Sequence, residues 1–169
     1  AGEDPYLGAR IAVAQIEGFQ TADPANPDTV LACAKHMGAY GAAIGGRDYD
    51  SAELSERTLR ETYLAPFHAA SHAGVGTMMT AFNDLSGVPT TGNEALVRGI
   101  LREEWDYQGL VVSDWNAIKE LIAHGAAATP AQAAALALRA SVDMDMTSNT
   151  YADHLAPAVA ADPSLLPLV

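Results

Sequence analysis

Four short apolar runs constrain this chain most: TVLACAKH (29–36), VGTMMTAF (75–82), GLVVSD (109–114) and SVDMDM (141–146). Each is bounded by Gly or polar residues and is apolar on successive positions rather than on alternate ones. That pattern suits strands of a parallel sheet buried on both faces. Helical patterns lie around and between the runs. Residues 6–19 carry Ala, Ile and Val at helical spacing. Residues 55–72 open with Ser55-Glu56 and keep Leu59, Tyr63, Leu64 and Phe67 near one face. Residues 93–105 begin at Asn93 and carry Leu96, Val97, Ile100 and Leu101, and residues 116–125 follow the third run. Thr129-Pro130-Ala131-Gln132 is a capping box with Pro at the first helical position, opening a helix to about Arg139.

Strand and helix thus repeat as βα units, which predicts an α/β fold with a parallel sheet. A doubly wound sheet calls for a Gly-rich phosphate loop after its first strand, and none is present in the usual form. A (β/α)8 barrel takes eight strands and about 250 residues. With four readable strands in 169 residues, the expectation is a partial TIM barrel of about four βα units.

Composition narrows the function classes. Hydrophobic residues make up 49 % and charged residues 18 %, an ordinary globular balance. The net charge of −12 argues against a nucleic-acid partner, which needs a basic face. One cysteine, Cys33, excludes an intrachain disulfide. No apolar run approaches the roughly 20 residues of a membrane span, and no signal peptide is visible.

Ligands of parallel α/β folds sit at the carboxyl ends of the strands. After the first run come Lys35 and His36, then a loop with Tyr40, Arg47 and Asp48. After the second come Phe82, Asn83 and Asp84, and after the third Asp114 and Trp115. The fourth run carries Asp143 and Asp145. Sugars are bound by such sets: polar side chains meet hydroxyls, an aromatic face packs on the ring, and a carboxylate can attack the anomeric carbon. Plainer roles exist for each. Asp114 could cap the helix after it. Lys35-His36 could be an exposed strand end, and Arg47-Asp48 a local ion pair. Met78 and Met79 could be core filler, and Trp105 packing. Asp143 and Asp145 could be a structural hydrogen-bonding pair or share a proton. His68, His72, His124 and His154 show no metal-ligand spacing, so neither a metal site nor a cofactor is expected.

These residues resemble the N-terminal catalytic domain of glycoside hydrolase family 3, in its β-glucosidase branch. The matching stretches are GEDPYL (2–7), ACAKHMGAYGAAIGGRDYD (32–50), SERTLRETYLAPFHAA (55–70), VGTMMTAFNDLSGVPTTGN (75–93), LREEWDYQGLVVSDWNAIKELIAHG (101–125) and VDMDM (142–146). TYADHLAPAV (150–159) is most similar to the periplasmic bacterial members. The resemblance implies that Asp114 is the nucleophile of a retaining β-glucosidase. It implies that Trp115 stands between the sugar and leaving-group subsites, and that Lys35, His36 and Arg47 bind sugar hydroxyls. Met79 and Phe82 would line the pocket, with Phe82 where members often carry Tyr. The β-N-acetylglucosaminidase branch has a loop of the form KHFPGHG; here the residues are KHMGAYG, without the second histidine.

By the same resemblance, residues 1–169 are a fragment of that domain. The N-terminal barrel half and the C-terminal α/β domain, which supplies the acid/base glutamate, would be absent. Expected partners are β-glucosides or short β-linked oligosaccharides, with self-association through exposed barrel edges and a periplasmic or secreted location. Two alternatives stand beside this reading. One is a Schiff-base lyase of the aldolase kind using Lys35; the other is a carbohydrate-binding domain without catalysis.

Overall fold

The computed structural model describes residues 2–23 and 25–169. At its centre is a three-stranded parallel sheet, in the order β1 (Cys33–Met37), β2 (Thr77–Thr80), β5 (Leu110–Val112). The first three apolar runs therefore each supply a strand, shorter than the run itself. A hairpin of β3 (Asp84–Leu85) and β4 (Val88–Pro89) stands apart. Its turn residues Ser86 and Gly87 both have positive φ, 50° and 85°, as a type I′ turn requires.

Register divides the sheet into two faces. Ala34, Met78 and Val111 stand in one row across the strands. Met78 and Val111 are fully buried in the main core. One residue further, Met79 pairs with Val112 and faces the other way; both are buried outside that core cluster.

The fourth expected strand, 141–146, is reduced to a single parallel bridge between Val112 and Met144. Ser141 and Thr147 both have φ of 69°, which breaks extended backbone at each end. The segment still lies along β5: Asp143 N–H donates to Val111 O at 2.8 Å and Ser113 N–H to Met144 O at 2.9 Å. Among the described residues Asp143 and Asp145 are not hydrogen-bonded to each other. Asp143 accepts from Val111 N–H at 2.7 Å and pairs with Arg102. Asp145 accepts from Ser148 and from Tyr151 N–H.

The helices follow their start signals and depart from them at the ends. α1 (Pro5–Gln20) is capped by Asp4, whose Oδ1 accepts from Tyr6 N–H at 2.9 Å. Residues 55–72 do not form one helix. Ser55 caps α2 (Glu56–Thr58), a π-turn follows at Leu59–Tyr63, and α3 covers Ala65–His72. Pro66, with no N–H to donate, sits where the helix restarts. The next helix, Ala95–Glu104, is wound as a π-helix, yet Leu96, Val97, Ile100 and Leu101 are all buried as their spacing predicts. The helix expected over 116–125 shortens to α4 (Ala117–Glu120). In α5 (Pro130–Arg139) the capping box is present. Gln132 N–H donates to Thr129 Oγ1, and Gln132 Oε1 accepts from Ala128 N–H at 2.8 Å. α6 (Thr150–Ala161), which carries His154, packs on α5 around Leu138, Ala158 and Leu165. Pro157 inside it masks the helical pattern. Trp105 packs against the core beside His68, with ring centroids 4.9 Å apart.

Candidate active site

Three parallel strands deliver their last residues to one end of the sheet. β1 brings Lys35 and His36, β2 leads into Phe82 and Asn83, and β5 leads into Ser113, Asp114 and Trp115. Ser113 anchors the turn after β5. Its hydroxyl donates to Asp114 O at 2.9 Å and accepts from Met146 N–H at 2.9 Å.

Asp114 is the centre of the cluster and only 7 % exposed. Its Oδ1 accepts from Trp115 N–H at 2.7 Å. Among the described residues no hydrogen-bond donor is aimed at its buried Oδ2, which lies 3.3 Å from His36 Nε2. Burial holds the His36 imidazole below its usual value of 6.5. Lys35 pushes the same way, against the carboxylates of Asp114 and Asp48. His36 is therefore a neutral ring at neutral pH.

The loop after β1 folds over this pair. Gly38 has φ of 128°, and its carbonyl accepts from Asn83 Nδ2 at 2.9 Å. Ile44 N–H donates to Ser51 O at 2.9 Å, and Ser51 Oγ to Asp84 Oδ2 at 2.6 Å, tying the loop to the hairpin. Tyr40 lies with its ring 5.2 Å from His36 and donates its hydroxyl to Asp48. Burial, with Asp48 next, pushes the Tyr40 phenol up to about 12. Tyr49 packs on Phe82 at 4.5 Å and reaches Glu120 Oε1 of α4 at 3.5 Å. Burial raises both the Tyr49 phenol and the Glu120 carboxyl, and the Asp114 charge adds to each.

Of the residues expected here, His36, Phe82, Asp114 and Trp115 lie at this end of the sheet. Met79 is buried in β2, and Lys35 is exposed on β1. Arg47 is exposed and lines a hollow of about 320 Å³ with Tyr40, Ala43 and Asp48. The alternative role of a local Arg47–Asp48 ion pair is not present among the described residues: Asp48 accepts from Tyr40 and from Tyr49 N–H. Tyr49 and Glu120 were not foreseen. They join a strand-end loop to the helix after another strand, a pairing that spacing does not encode. Among the described residues no group of three or more His, Cys, Asp or Glu side chains is placed to hold a metal ion.

A sequence model of the glycosyl hydrolase family 3 N-terminal domain matches residues 2–162. The chain belongs to glycosyl hydrolase family 3. It is 41 % identical over 154 residues to a periplasmic beta-glucosidase of Salmonella typhimurium, covering 91 % of this chain and 20 % of that protein. It is 44 % identical over 149 residues to a beta-xylosidase of Formosa agariphila, covering 86 % of this chain and 21 % of that protein. Its fold superposes on the crystal structure of beta-glucosidase from Listeria innocua in complex with glucose. The TM-score is 0.94 at 37 % identity, covering 99 % of this chain and 24 % of that one. The chain thus spans a fifth to a quarter of these family 3 relatives. No helix among the described residues is long and apolar enough to cross a membrane.

Proposed function

We propose that this chain carries the nucleophile side of a retaining β-glucosidase site, with Asp114 as the nucleophile. One observation carries the reading. Asp114 is a buried carboxylate at a strand's carboxyl end, with one oxygen fixed by backbone and the other left without a donor beside a neutral imidazole. Such an oxygen is poised for an electrophilic carbon. It attacks the anomeric carbon and the glycosidic C–O bond breaks. The leaving oxygen takes a proton from a second carboxylic acid, and water then cleaves the glycosyl ester with retention.

That acid belongs about 5–5.5 Å from Asp114. We place it in chain beyond these residues, since the relatives are four to five times longer. Lys35, His36 and Arg47 would meet sugar hydroxyls. Met79, Phe82 and the exposed Trp115 would give the ring its apolar contacts. The substrates are β-glucosides or short β-linked oligosaccharides, and the similarity to a periplasmic enzyme supports a periplasmic or secreted location. The three parallel strands and the bridge beside them are the part of a TIM barrel that this reading needs. Strand edges that the rest of a barrel would cover give a route to self-association. Lys35 is exposed, so the Schiff-base alternative lacks the burial on which such lysines depend.

The test is labelling with an aryl 2-deoxy-2-fluoro-β-glucoside in the full-length protein, followed by peptide mass mapping. A fluoroglycosyl ester on the Asp114 peptide, lost in Asp114→Asn, is the expected result. Sugar binding without any ester at Asp114 would instead mark a carbohydrate-binding domain.

A further inference from the structure

His36 is the imidazole that touches Asp114. Four charged or titratable groups face it: Lys35 on its own strand, Asp114 at the end of β5, and Tyr40 and Asp48 in the loop after β1. The two carboxylates are rivals, because each favours a protonated ring. Only Asp114 is in contact. Asp48 is engaged elsewhere: its Oδ1 accepts from the Tyr40 hydroxyl and, at 3.0 Å, from Tyr49 N–H. Tyr40 therefore does two things at once. Its ring packs against the imidazole, tilted 60° at 5.2 Å, and its hydroxyl holds the competing carboxylate.

We propose that Tyr40 is a positioning residue: by donating its hydroxyl to Asp48 it keeps that carboxylate off His36 and leaves the imidazole committed to Asp114. The proposal rests on the site reading above only in taking the His36–Asp114 contact as its centre. The arrangement has a chemical purpose. An imidazole shared between two carboxylates holds its proton to higher pH and does not fix the orientation of either one. A ring committed to Asp114 restrains the carboxylate on its Oδ2 side. The hydrogen bond from a phenol to an ionised carboxylate is of the stronger, charge-assisted kind, which suits a fixed restraint. The Phe82 ring also lies against Tyr40, with centroids 6.3 Å apart.

Tyr40→Phe removes the hydroxyl and keeps the ring, so packing against His36 and Phe82 survives. The His36 titration, followed by NMR in the full-length protein with labelled histidine, should move up by about half a unit as the freed Asp48 charge turns toward the ring. In the double variant with Asp48→Asn the rise should vanish. An unchanged His36 titration in Tyr40→Phe overturns the proposal, as does a rise that persists in the double variant. A second measurement leaves Tyr40 in place. The Tyr40 ring, followed from about pH 8 to about pH 11, should begin to ionise earlier in Asp48→Asn than in the parent. Identical curves overturn the proposal. These titrations do not require turnover. A missing ester at Asp114 would defeat the proposed function and leave them intact; an unmoved His36 would defeat only the role of Tyr40.

Discussion

One added methyl group at Gly38 tests how the loop over the site is held. The backbone there has φ of 128°, a conformation that L side chains rarely adopt, and a Cβ would lie 2.0 Å from Thr90 Cγ2, 3.0 Å from its Oγ1 and 3.1 Å from its Cβ. Thr90 has no room to retreat. It is fully buried, its hydroxyl donates to Asn83 O, and its N–H donates to the same oxygen at 3.2 Å. Asn83 in turn donates to the Gly38 carbonyl, so the clash is enclosed in its own hydrogen-bond ring. Gly38→Ala therefore carries two costs. The backbone conformation costs about 1–3 kcal/mol, and overpacking a full site costs about 1–3 kcal/mol. The sum, about 2–6 kcal/mol, is a large share of the roughly 5–15 kcal/mol that stabilises a domain. With a urea slope of about 2 kcal/mol/M, the midpoint falls by about 1–3 M. Circular dichroism across a urea series reads this directly. Thr90→Ser removes Cγ2 and keeps the hydroxyl, so the double variant should recover about 1–3 kcal/mol, the overpacking share. A loss below about 0.5 kcal/mol in Gly38→Ala, or no recovery in the double variant, refutes the reasoning.

Two further outcomes follow from the site. Burial holds the His36 pKa in the folded chain below 6.5, so the unfolded chain binds more protons. The stability tied to His36 is full above pH 6.5 and is lost as pH falls from there through the folded value. Urea midpoints between about pH 7 and about pH 5 should fall less steeply in His36→Gln than in the parent, and equal slopes would contradict the burial argument. Trp115 is 59 % exposed, so Trp115→Ala should move stability by less than about 0.5 kcal/mol. The same substitution should raise KM for aryl β-glucosides in the full-length protein, because the indole is proposed to contact the sugar. A variant that lost stability while keeping its KM would show the indole to be a packing residue.

Continuous apolar runs located the three strands, and burial on both faces holds for the middle of the sheet: Met78 and Val111 face the main core and Met79 and Val112 the other side, whereas β1 exposes Cys33 and Lys35. The fourth run failed as a strand for a reason hidden from hydropathy. Ser141 and Thr147 take positive φ, a conformation non-glycine residues seldom adopt and no pattern announces. Helix starts were legible, since Ser55, Asn93 and Thr129 act through their own side chains on nearby N–H groups. Helix interiors were less so: apolar spacing at 96, 97, 100 and 101 fits a π-helix as well as an α-helix. In the site, strand-end logic brings His36, Phe82 and Asp114 together. The Tyr40–Asp48 and Tyr49–Glu120 contacts close only when the loop folds back, and the second spans 71 residues.

A carboxylate that ends a buried strand could serve the next helix or a ligand, and its two oxygens tell the roles apart. Helix α4 takes Asn116 as its N-cap, in a left-handed conformation and without a side-chain cap bond. Ala117 N–H donates to the Asp114 backbone carbonyl at 3.1 Å, so the main chain, not the carboxylate, starts that turn. Oδ1 is used one residue on, at Trp115 N–H, which fixes the side chain. Oδ2 is left buried and without a donor, a state that costs a fold about 1–3 kcal/mol or more for a charged group. A helix cap would have spent that oxygen on an N–H. A buried oxygen without a donor suits the proposed attack at an anomeric carbon better than it suits a cap, and the His36 ring lies 3.3 Å from it.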